Sequence, residues 1–118
     1  MNATVTGKLL KIAACFAAIA SLYHLAAVVG LRHGESPWWR HTLFFVVDLA
    51  LGWGFWNRPR WFVWCFALLC VQQLHSHGQR ALDWARAGRV DWISLLVIAS
   101  IPIALWALVR DGQAQTRK

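Results

Sequence analysis

Four apolar blocks separated by short polar segments constrain this chain more than any other feature. They run from Ile12 to Leu31, Thr42 to Trp56, Trp61 to Leu74 and Val90 to Val109. The first and last hold 20 residues each, the length a helix needs to cross about 30 Å of hydrocarbon. The middle blocks hold 15 and 14. They reach across once the flanking Trp39, Arg40 and His41, and His75 to Gly78, sit in the interfacial zone. Only 14% of the residues are charged and 58% are hydrophobic, where a soluble domain carries about a quarter charged residues. The expected fold is all-α, a four-helix transmembrane bundle. It forms a single polytopic membrane domain over residues 1–118, with spans near 9–31, 40–57, 60–78 and 90–110. Its first partner is then the lipid bilayer.

The formal net charge is +7, which raises nucleic acid as a partner. The basic residues are spread over span ends rather than gathered on one face, which excludes that reading. They act as topology signals. If every span crosses, Lys8, Lys11, Arg58, Arg60, Arg110, Arg117 and Lys118 fall on one side, and Arg32, Arg40, Arg80, Arg86 and Arg89 on the other. The excess places both termini in the cytoplasm of a multi-pass inner-membrane protein. Lys8 and Lys11 before an apolar run, with Ala18-Ile19-Ala20 after it, resemble a signal peptide. The run continues eleven residues past Ala20, so the segment reads as the first span. Cys15, Cys65 and Cys70 all lie inside spans, without a CxxC motif, and read as packing residues.

Local chemistry fills in the connections. The first span is alanine-rich, which suits close helix packing. Gly34 and Pro37 are expected to break the chain before the interfacial pair Trp38-Trp39. The turn at 57–60, "NRPR", joins two antiparallel spans. Trp53, Trp56, Trp61 and Trp64 read as an aromatic belt. The amphipathic segment at 81–89, "ALDWARAGR", is expected to lie along the membrane surface. Pro102 is expected to kink or end the fourth span, and the tail from Asp111 to be loose.

The polar residues inside the blocks are the candidates for function. His24 lies seven residues before Leu31, Asp48 seven after His41 and Gln72 six before Gly78. Each is therefore about 10 Å below the end of its span. An intramembrane aspartate costs roughly 2.5–3.5 kcal/mol to insert, so it faces inward and has a partner. His24 is the expected partner of Asp48, with Gln72 in the same layer. His41, His75 and Asp91 form a shallower layer, so that the whole describes a funnel with His24, Asp48 and Gln72 at its floor. Tyr23, beside His24, is expected to point elsewhere, and His77 to be the wet end of the third span.

Two kinds of chemistry fit these residues. An Asp–His pair at low dielectric can take up and release a proton near neutral pH. A metal ion wants two or three imidazoles with a carboxylate, a set that His24, His41, His75 and Asp91 supply, and a haem wants histidines from facing helices. No HxxxH or HExxH spacing singles out either. No nucleophile elbow, phosphate loop or dinucleotide fingerprint is present. Three functions stay open. The chain is a metal-, haem- or quinone-binding or accessory subunit, or a proton- or cation-coupled transporter or channel module using Asp48 and His24. The third is a structural partner of a larger membrane complex. A chain of 118 residues has little room for a substrate cavity of its own, which points to a homo-oligomer or a larger assembly.

Overall fold

A computed structural model describes residues 3–31 and 37–116. These residues are all-α: α1 (Ala3–Val28), α2 (Trp38–Asn57), α3 (Phe62–Arg86) and α4 (Trp92–Thr116), with no strand among the described residues. Two helices, over Val5–Val28 and Trp92–Thr116, are long and apolar enough to cross a membrane. The chain divides into two compact units. One is Gly7–Pro59, and the other is the chain from Arg60 onward with the first turn of α1.

In the first unit α1 and α2 form a hairpin. Within this unit the buried positions on α1 are Leu10, Ala14, Ala17 and Ser21. Their spacing of three and four keeps them on one helical face. Three of the four are small, and the helices approach closely there: a Cβ built on Gly52 would lie 3.6 Å from the Ala14 carbonyl oxygen. The first helix ends earlier than its apolar run. Gly30 takes a left-handed φ of 78°, its amide bonds the Ala27 carbonyl, and the Leu31 amide bonds that of Ala26. This is a Schellman stop, which only glycine makes without strain. The expected breaker Gly34, with His33 and Glu35, lies outside the described residues. At its far end α2 stops at Arg58, whose φ is 54° and whose amide bonds the Gly54 carbonyl at 2.7 Å. Pro59 then prevents continuation.

In the second unit α3 and α4 pair. The α3 stripe begins with Phe62, Phe66 and Cys70, all buried, with the two phenyl rings stacked 6.0 Å apart. It continues through Gln73 and His77, which are half-buried. Three expectations are corrected here. The segment 81–89 is not a separate surface piece. Through Arg86 it is the last part of α3, because Ala81, Leu82 and Ala85 favour helix and a lone Gly78 does not end one. Pro102 sits inside α4 without ending it. The stretch from Asp111 is helical to Thr116, where Gln115 Nε2 donates to Asp111 Oδ2 at 2.8 Å.

Candidate functional site

The α1–α2 hairpin holds a series of titratable side chains. On α2, His41, Phe44 and Asp48 are spaced by three and four and share one face. His41 and Asp48 are therefore about 10 Å apart along the helix axis. From α1, His24 bridges them. Its Nδ1 lies 3.0 Å from the Nδ1 of His41. Its Nε2 lies 3.8 Å from Asp48 Oδ2, an ion-pair distance too long for a hydrogen bond. The Phe44 ring stacks on the His24 ring, centroids 5.4 Å apart, and the Arg40 guanidinium lies 5.8 Å from the Phe44 centroid.

His41 is 9% exposed, and its Nε2 is buried with no hydrogen-bond partner. A buried polar atom in that state costs about 1–3 kcal/mol. The series therefore has an unsatisfied end. Tyr23 corrects an expectation. Its ring does not point away but meets the His24 ring edge-on at 5.2 Å and the His41 ring at 6.5 Å. Adjacent residues diverge by about 100° on a helix, but a phenol is long enough to turn back. Phe44 was missed in the sequence although its place between His41 and Asp48 was a usable signal.

Beside this series an open groove of about 310 Å³ runs between α1 and α2. It is lined by Ala14, Ala18, Gly52, Trp53 and Trp56 among others, and Asp48 is its one acidic lining residue.

The α3–α4 hairpin carries a second series. Ser94, buried at the start of α4, donates its hydroxyl proton to Asp91 Oδ2 at 2.7 Å, and its amide donates to Asp91 Oδ1 at 3.2 Å. Asp91 is therefore the cap of α4. Arg80 Nε pairs with Asp91 Oδ2 at 3.1 Å. His77 Nδ1 lies 2.9 Å from Ser94 Oγ. Since the hydroxyl proton is given to the carboxylate, His77 must donate its Nδ1 proton to Ser94. The Ser94 hydroxyl, foremost among these contacts, holds the Asp91 carboxyl below its ordinary value.

The structure thus joins His24, Asp48 and His41 in one hairpin. Gln72 and His75 belong to the other, where both are exposed. The inward residues on that part of α3 are Gln73 and His77, which continue the Phe62–Phe66–Cys70 stripe; the expected orientation was off by one or two positions. Asp91 is committed to Ser94 and Arg80. The four residues considered for a metal or haem are divided between the hairpins, and within neither hairpin do three His, Cys, Asp or Glu side chains converge, among the described residues. In the first hairpin the reason is geometric. His41 and Asp48 approach opposite ring nitrogens of His24, so the three form a line and not a chelate.

No family model, no curated protein and no solved structure gives a significant match to this chain.

Proposed function

We propose that this chain is a four-span inner-membrane protein, both termini cytoplasmic, that uses Asp48, His24 and His41 to carry protons in coupled transport. It does so as an oligomer or within a larger complex. The membrane reading is supported by the outward placement of large apolar side chains: Trp64 is 78% exposed, Leu68 76% and Ile93 72%. A water-soluble helix pair would turn such faces inward.

The observation that carries the proton reading is the unbranched order Asp48–His24–His41. In one neutral arrangement His41 donates its Nδ1 proton to His24 Nδ1, and His24 carries its own proton on Nε2, facing Asp48. A proton arriving at the free Nε2 of His41 lets its Nδ1 proton pass to His24. The Nε2 proton of His24 then passes to the Asp48 carboxylate, once a side-chain rotation closes the 3.8 Å gap. One proton enters at His41 and one is delivered to Asp48, which becomes the neutral acid, while the two rings are left in the opposite tautomers.

A single observation favours a second reading, in which the chain is an accessory subunit holding a metal, haem or quinone. The buried, unpartnered Nε2 of His41 is the kind of atom a bound group satisfies.

The test is proton flux into liposomes containing the purified protein, read with an internal pH dye. Wild type passes protons, and Asp48→Asn, which keeps the shape but not the titration, does not. Equal flux in wild type, Asp48→Asn and His24→Ala overturns the proposal. An absorption spectrum with metal analysis of the purified protein decides the second reading. A Soret band or near-stoichiometric metal lost in His41→Ala supports it, and a colourless, metal-free protein removes haem and tight metal.

A further inference from the structure

We infer that the end of α3 and the turn after it bind the phosphate of an anionic phospholipid headgroup, held by Arg80 and Arg89 around Trp84. The inference rests on the membrane reading above but not on the proton series.

The site is built by the chain's own stop signal. Gly88 takes a φ of 70°. Its amide bonds the Ala85 carbonyl at 3.0 Å, and the Arg89 amide bonds the Trp84 carbonyl at 2.9 Å. This is the second Schellman turn in the chain. The turn folds Arg89 back over the residue its amide bonds, so that its guanidinium carbon lies 4.4 Å from the Trp84 ring centroid. The position an apolar contact fills in an ordinary Schellman turn is here a cation over an indole.

Arg80 reaches the same ring from one turn back in α3, at 6.0 Å. Its Nε is tied to Asp91, and the side chain is 63% exposed, with further N–H donors on the same guanidinium. Arg89 has no carboxylate partner among the described residues. The other acid nearby, Asp83, is engaged by Arg86 at 3.3 Å. Two guanidinium groups thus lie beside one indole, and a guanidinium edge matches two phosphate oxygens at once.

The surroundings choose the source of that phosphate. Leu82, Val90 and Trp92 around the turn are exposed, Trp92 at 75%. A soluble phosphate would leave this apolar rim wet, whereas the glycerol and upper acyl chains of a lipid would cover it. Basic and aromatic residues together at the end of a span are also what a headgroup layer attracts.

Native mass spectrometry of the detergent-purified protein tests this, with phosphatidylglycerol and phosphatidylcholine titrated in parallel. Wild type is expected to bind phosphatidylglycerol about fivefold more tightly, the worth of the one arginine, Arg89, whose charge no carboxylate offsets; Arg80, paired with Asp91, meets the phosphate that both lipids share. Arg89→Gln should bring the ratio to about one. Gly88→Ala keeps every charge but strains the turn, and should lower the ratio too. Arg40→Gln removes an equal charge on α2 and should leave it unchanged. A ratio kept in Arg89→Gln, or lost equally in Arg40→Gln, overturns the inference. So does displacement of phosphatidylglycerol by millimolar inorganic phosphate, which would make the site one for soluble phosphate. Circular dichroism confirms that each variant is folded. Release of the chain from membranes by alkaline carbonate would instead sink the membrane reading, separately from any lipid ratio.

Discussion

Each hairpin of this chain is crossed by a short line of polar side chains, and the two lines end differently. In α3–α4 the Asp91 carboxylate receives the Ser94 amide, the Ser94 hydroxyl and the Arg80 guanidinium, and Ser94 in turn accepts from His77. In α1–α2 the contact to Asp48 is long and the Nε2 of His41 has no partner. A closed network fixes two helices and leaves little for a ligand or proton to do. An open one is costly to fold and is kept wherever the missing partner arrives later. The proposed function turns on this contrast, with the closed network read as glue and the open one as a site.

The comparison can be broken most decisively at its two aspartates. Asp48→Asn should abolish proton flux in liposomes while changing stability by less than about 1 kcal/mol, because interhelical polar contacts in a membrane are individually weak. If it instead unfolds the protein, the α1–α2 line is glue as well. Asp91→Ala should cost about 2 kcal/mol in thermal unfolding, from a lost cap and a buried hydroxyl without its acceptor, and leave flux intact.

The two lines should also differ in acid. The Asp91 carboxyl is held below its ordinary value of 3.8, so the stability it contributes is fully present above that pH. It is lost as pH falls below 3.8 and on through the lower folded value. Unfolding midpoints measured from neutral pH downward should drop in that window for wild type, and much less for Asp91→Asn. A smaller effect separates neighbours on α3. His77→Ala should cost about 1 kcal/mol through the lost bond to Ser94, and His75→Ala should stay within about 0.5 kcal/mol.

Helix content and the Asp48–His24 pairing were legible in the sequence, since apolar block length and the cost of a lone intramembrane carboxylate each leave few alternatives. Helix ends were less so. Nothing in composition says that Gly30 stops α1 while Gly78 is passed over by α3; the difference lies in the carbonyls that each following turn can reach. The orientation of α3 was misjudged for a related reason. Gln72 with His75 and Gln73 with His77 are both good helical pairs, and only the run from Phe62 through Cys70 decides between them. Asp91 was seen as a ligand because an acid at a span end looks alike whether it caps its own helix or reaches into a site. Ser94, three residues on, was the signal for a cap.

Gly52 has a consequence for engineering. A methyl group there would meet the Ala14 carbonyl oxygen at 3.6 Å and the Ala17 Cβ at 3.9 Å, both ordinary contact distances. Packing therefore does not demand glycine at this position, and alanine would favour the helix by as much as about 1 kcal/mol. What the glycine keeps is empty space beside Asp48. Gly52→Ala should raise the unfolding temperature slightly while narrowing the groove that reaches that carboxylate. At this position, robustness and access are set against each other by a single carbon atom.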